Sequence, residues 1–169
     1  MKLILKIRPF LFIFFMMLIA LAACNKQDDL SPQPVPETRS LYVSFKQDTI
    51  PVTLSVTSAR MEMIGSFLTT AVDGKQPDSV LNKTSLVVRV TGDSTRNYNN
   101  TEIFASYTDS AGVAYSNTVS DTINVVKITR LEKKKDGIVE GSFTIRVSNS
   151  TKTKTIILNN GKFSALLDE

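Results

Sequence analysis

The sequence predicts an all-β fold: an antiparallel β-sandwich of about nine or ten strands, with a closed β-barrel as the alternative. Three observations carry this reading. Apolar residues recur at every second position through most of residues 40–169, which lines them along one face of a strand and would scatter them around a helix. Asp73-Gly74, Ser110-Ala111-Gly112, Asp136-Gly137 and Asn160-Gly161 fall between the runs and supply the positive φ that tight turns demand. The connections are short, so successive strands pair antiparallel, and the sheet must fold over or close to bury its apolar face.

Taken in order, Leu41, Val43 and Phe45 alternate with Tyr42, Ser44 and Lys46. After a first turn at Lys46-Gln47-Asp48-Thr49, Ile50, Val52, Leu54 and Val56 alternate with Pro51, Thr53, Ser55 and Thr57. Residues 58–70 are ambiguous, because Ala59, Met63 and Phe67 are spaced as on a helix while Met61 and Met63 suit a strand; strand is preferred. Further strands are expected at 86–90, 102–107, 113–119 and 123–131. The clearest is Val139, Gly141, Phe143, Ile145 and Val147 against Glu140, Ser142, Thr144, Arg146 and Ser148. Strands at 155–158 and 162–167, with Asn160-Gly161 as the turn between them, complete the domain. The polar stretch Asp93 to Asn100 reads as a loop and as the best place for ligand contact on a rigid β scaffold. It lacks the alternating acids and central Gly of a calcium loop.

The first 24 residues read as an address. Lys2, Lys6 and Arg8 precede an unbroken apolar run of 14 residues from Phe10 to Ala23, ending at Cys24. That is the three-part pattern of a secretory signal, and it is shorter than the roughly 20 residues that span a bilayer. Residues 1–23 are expected to be removed. The junction Leu21-Ala22-Ala23-Cys24 resembles the bacterial lipobox, which implies lipidation of Cys24 and a firm membrane anchor, since each buried methylene contributes about 0.8 kcal/mol. Asn25 rather than Asp after the Cys favours sorting to the outer membrane. Lys26, Asp28 and Asp29 resemble the Lys-plus-acidic tether that sends Bacteroidetes lipoproteins to the cell surface, against the plainer reading of a solvated linker. Prolines at 32, 34 and 36 favour an extended, semi-rigid spacer. Residues 24–39 are thus a lipidated tether, and 40–169 one domain.

Composition excludes several functions. Removing the signal takes three basic residues with it, leaving 17 basic against 16 acidic side chains and a mature charge of +1. The basic character gives no argument for nucleic acid. With no His and Cys24 as the single Cys, Cys/His zinc sites, Ser-His-Asp triads and Cys-His dyads cannot be built. No metal, cofactor or catalytic residue is expected: the carboxylates have no recognisable paired setting of the glycosidase kind.

Three segments at the end of the chain are distinctive: 126–131, Gly141-Ser142-Phe143-Thr144-Ile145, and Ile157-Leu158-Asn159-Asn160-Gly161-Lys162-Phe163. With 86–90 and Tyr98, they resemble a family of uncharacterised Bacteroidetes lipoproteins whose closing strands carry Gly-x-Phe and then Asn-Gly-x-Phe. The resemblance departs at the first hairpin, where members often have Gly and Trp. It implies a β-rich secreted domain and brings no catalytic residues.

Five Asp residues precede Ser or Thr in Asp48-Thr49-Ile50, Asp78-Ser79-Val80, Asp93-Ser94-Thr95, Asp109-Ser110-Ala111 and Asp121-Thr122-Ile123. The pattern resembles the Bacteroidetes O-glycosylation acceptor, which makes Thr49, Ser79, Ser94, Ser110 and Thr122 candidate sites. It is also ordinary turn chemistry. Lys133-Lys134-Lys135 reads as a solvated hairpin tip, with an anionic-ligand patch as the alternative. Tyr42, Tyr98, Tyr107 and Tyr115 suit a sugar-stacking platform or half-buried strand positions. The expectation is therefore a surface-facing outer-membrane lipoprotein whose domain binds a glycan, a peptide or an envelope protein. The alternatives are an accessory subunit of an outer-membrane complex and a lipocalin-like carrier with Phe45, Phe104 and Phe143 lining its interior.

Overall fold

The structure, a computed structural model, describes residues 39–77 and 82–168. The signal segment, Cys24, the tether residues Lys26, Asp28 and Asp29, and Ser79 lie outside the described residues. Eleven strands form: β1 (Tyr42–Gln47), β2 (Ile50–Leu54), β3 (Val56–Ile64), β4 (Phe67–Lys75), β5 (Ser85–Thr91), β6 (Asn97–Asn99), β7 (Ile103–Thr108), β8 (Ala114–Asn117), β9 (Val125–Leu131), β10 (Ile138–Asn149) and β11 (Thr155–Asp168). A 3-10 turn, Asn100–Glu102, precedes β7. The all-β expectation holds, with one strand more than the upper estimate.

One hydrogen-bonded network folds over into two facing layers. The first runs β2-β1-β11-β10-β9-β6 and the second β3-β4-β5-β7-β8. Period-two burial drives this: Leu86, Val88 and Val90 on β5 and Ile103, Ala105 and Tyr107 on β7 all turn inward. They meet Val43, Phe45, Phe143 and Phe163 from the first layer in one core. Across the interior the Phe45 ring stands edge-on to Tyr107 at 5.7 Å, and the Tyr107 hydroxyl donates to Gln47 Oε1 at 2.8 Å.

Two strands stitch the layers together. β10 pairs with β9 from Val139 to Thr144 and with β8 from Val147 to Asn149. At the handover, the Arg146 amide donates to Oδ1 of the fully buried Asn124 at 2.8 Å, which gives that amide the partner the ladder no longer supplies. β11 pairs with β1 as far as Ser164 and then, in parallel, with β3 at Leu167 and Asp168. That parallel pairing departs from the fully antiparallel expectation. The outer margins are blunt: β2 contains Pro51 and β6 has three residues.

Several boundaries differ from the sequence reading. Asp73-Gly74 is not a turn but lies inside β4. Gly74 is there because a Cβ would press on Val43 and Leu54 of the opposite layer at about 3.0 Å. Residues 58–70 are indeed strand, but as a hairpin whose turn is Gly65-Ser66, with Gly65 at φ +61°. The alternating run from Ile50 breaks at Ser55 into β2 and β3. The strands expected at 113–119 and 123–131 shorten to β8 and β9, since 118–124 is occupied by the turns leading into Asn124.

Asn160-Gly161 is also not a turn. β11 runs straight through it as a 14-residue strand with a bulge, and Asn160 has φ +52°. The bulge switches parity, so that Ile156 and Leu158 before it and Phe163, Ala165 and Leu167 after it all face the core. The register then explains the repeated Gly-x-Phe. Gly141 lies opposite Phe163, and Phe143 lies opposite Gly161. Each ring covers the other strand's glycine, the two rings stack at 6.4 Å, and a Cβ on either glycine would strike the facing ring.

Candidate functional site

The outward face of β3-β4-β5-β7 is built from the residues that alternate with the core set. Their register makes rows: Arg60, Ala71, Arg89 and Phe104 in one, Glu62, Thr69 and Thr91 in the next, Ile64 and Phe67 at the end. Ala71 is fully buried between the two arginines. Charges on this face neutralise one another. Arg60 pairs with Asp73 and lies 3.4 Å from Glu62, and Arg89 Nη2 donates to Glu62 Oε1 at 2.7 Å. The Arg89 Nε is buried with no hydrogen-bond partner.

Between these rows lies a groove of about 330 Å³. Ile64 and Phe67 wall one side and Phe104, Thr101 and Glu102 the other, over a floor of Thr69, Arg89 and Thr91. Phe67 is 63% and Phe104 47% exposed, so two aromatic rings stand in solvent beside Thr91 and Thr101, while the Thr69 hydroxyl is buried and donates to the Glu62 carbonyl at 3.0 Å. Glu102 is fixed by Arg96 at 2.6 Å and by the Asn99 amide at 3.2 Å. The hydrogen bond from Arg96 holds the Glu102 carboxyl below its usual range. A second depression, of about 500 Å³, lies over the Asn160 bulge beside Val125, Ser142, Thr144 and Lys162 and has no exposed aromatic ring.

The polar stretch 93–100 is no open loop. It contains β6, paired to β9, and its Tyr98 is fully buried. The Tyr98 hydroxyl donates to the Ser94 carbonyl at 2.7 Å, and Arg96 stacks 3.8 Å over the ring. An apolar contact inside a polar run overrode the polarity that suggested a free loop. The tyrosines form no platform either: Tyr98, Tyr107 and Tyr115 are core residues. Phe45 and Phe143 pack at 6.1 Å in the core, whereas Phe104 faces outward, so the three share no cavity.

Of the candidate acceptors, Thr49, Ser94, Ser110 and Thr122 are exposed, and nothing brings them together. Their preceding acids are engaged. Asp48 accepts from the Ile157 amide at 3.1 Å, Asp109 from the amides of Ala111 and Val113 and from the Tyr115 hydroxyl, Asp121 from the Ile123 amide and Arg146, and Asp93 from Lys133. Among the described residues, no group of three or more His, Cys, Asp or Glu is placed to hold a metal. Sequence reasoning missed the groove, although its signal was present. With Ile103, Ala105 and Tyr107 turned inward, Phe104 has to face out.

Compared with protein-family models, with characterised proteins and with solved structures, the chain has no match.

Proposed function

We propose that this protein is a lipid-anchored outer-membrane lipoprotein, facing the cell exterior, whose β domain is a non-catalytic binding module. The groove between Phe67 and Phe104 is its recognition surface. One observation supports this above the others: two large aromatic rings stand exposed beside Thr91 and Thr101 while the neighbouring charges are paired among themselves. Such a surface offers stacking and directional hydrogen bonds with little net charge. It suits a neutral glycan of the envelope better than an anionic ligand.

A photo-crosslinking residue at Phe104, expressed in intact cells, tests the reading. It should capture one class of envelope glycan or glycoconjugate, and Phe104→Ala should abolish retention of that material. Capture of a single outer-membrane protein at constant ratio would instead establish the accessory-subunit reading. No capture beyond that of the same probe at exposed Ile50 would sink both.

A further inference from the structure

The end of the domain at which the chain enters bears an apolar projection. β1 begins at Tyr42 opposite Ser164, and β11 runs on from there to Asp168. Beside it β3 passes Arg60 opposite Asp168 and continues to Ile64. The β3–β4 hairpin therefore reaches four residues beyond the last β11 pairing, about 13 Å at the rise of a strand. Its tip reads Met63-Ile64-Gly65-Ser66-Phe67 and has no charge. Met63 is 62%, Ile64 44% and Phe67 63% exposed.

Cations lie at the same end. The Asp136 amide donates to the Leu167 carbonyl at 3.1 Å and the Leu167 amide to Gly137 at 2.8 Å, which fixes the exposed Lys133-Lys134-Lys135 loop beside the end of β11. Lys133 pairs with Asp93 at 2.6 Å, and Lys134 is 3.9 Å from Glu132. An apolar tip with a lysine loop at the same end, interspersed with Glu132 and Asp136, is the pattern of a surface that rests in the headgroup layer with its apolar side chains among acyl chains. The chain supplies the occupant: Cys24, the expected point of lipidation, lies 15 residues before Arg39.

We infer that the Met63–Phe67 tip docks into the bilayer that anchors the chain. This rests on the lipoprotein reading above and adds the partner that covers the tip. Each of these half-exposed apolar side chains, withdrawn from water, favours the docked state by roughly three- to tenfold. The β1–β2 hairpin then stands away from the membrane. Docking gives the Ile64 and Phe67 wall of the groove to the lipid and leaves Phe104 and the threonines to the ligand, which is then one presented at headgroup level.

The chain has no Trp and only one Cys, which makes the test direct. The chain from Cys24 onward is coupled through that thiol to a maleimide lipid in phosphatidylethanolamine–phosphatidylglycerol vesicles. It carries either Phe67→Trp or, as the control at the far end, Ile50→Trp. Docking predicts that the Phe67→Trp emission shifts to the blue and loses most of its intensity to lipids brominated in the acyl chain, while the Ile50→Trp signal stays solvent-like and unquenched. Solvent-like emission from Phe67→Trp overturns the inference. So does a blue shift without bromine quenching, which would mean that a second copy of the chain covers the tip. Coupling fixes the anchor chemically, so failure here leaves the lipidation of Cys24 standing, to be decided by acyl labelling.

Discussion

Among single residues, Tyr107 couples the two layers most directly, through its ring against Phe45 and its hydroxyl on Gln47. Burial, aided by the charge of Asp109 and by Tyr115, pushes its hydroxyl up to about 12. In the unfolded chain the same group titrates near 10. Between those values the unfolded chain releases a proton that the folded one keeps, so this contribution is fully present below about pH 10 and is lost as pH rises towards 12. Denaturant unfolding across that window should show wild-type stability falling on the order of 2–3 kcal/mol more than that of Tyr107→Phe. Parallel pH profiles for the two proteins would refute the assignment. The same scale separates what was legible from what was not. Tyr107 could be placed on a core face by alternation alone, whereas the burial of Tyr98 depends on β9 reaching across a polar stretch, a long-range pairing that local composition does not encode.

At the scale of the element, β11 is the instructive case. Its two halves carry the apolar parity of two different strands, and Asn160, at positive φ, lies between them. A hairpin and a bulge require the same dihedral, so sequence signals the dihedral without saying whether the chain reverses. The parity shift was the readable clue: Leu158 and Phe163 are five apart and both face inward. Asn160→Gly should leave stability within about 0.5 kcal/mol, since glycine adopts this φ freely. Deleting Asn160 should abolish the cooperative urea transition, because it would rotate Phe163, Ala165 and Leu167 out of the core. A deletion variant that melts like wild type would show that the bulge does not set the register. Asp73-Gly74 failed for a different reason: that glycine answers to Val43 and Leu54 on another layer, and turn propensity is blind to such a contact.

For the whole molecule, period-two alternation made the all-β class legible, and the single pattern of inward residues gives one core. The stitching of the layers was not legible, because it depends on β10 and β11 each changing partner partway along. The groove lay between these extremes, implied by alternation at Phe104 yet visible only once four strands were set in register. The anchor is a claim about the complete chain and is tested there. Wild-type cells should incorporate labelled palmitate into this protein and accumulate a precursor under globomycin, while Cys24→Ser should do neither. The intact mass of the lipidated form also counts any glycans on Thr49, Ser79, Ser94, Ser110 and Thr122. Palmitate in the Cys24→Ser variant, or none in wild type, would remove the lipoprotein reading.

The blunt margins of the sandwich bear on life in a crowd. A protein held by lipid diffuses in two dimensions, where neighbours of its own kind meet side-on at high local density. An open strand edge under those conditions is a template for lateral polymerisation. Pro51 withholds one amide from the β2 margin, and β6 offers a passing molecule only three residues to grip. On the lipid-anchored reading proposed above, copies would therefore pack densely on a membrane while each remained a separate particle.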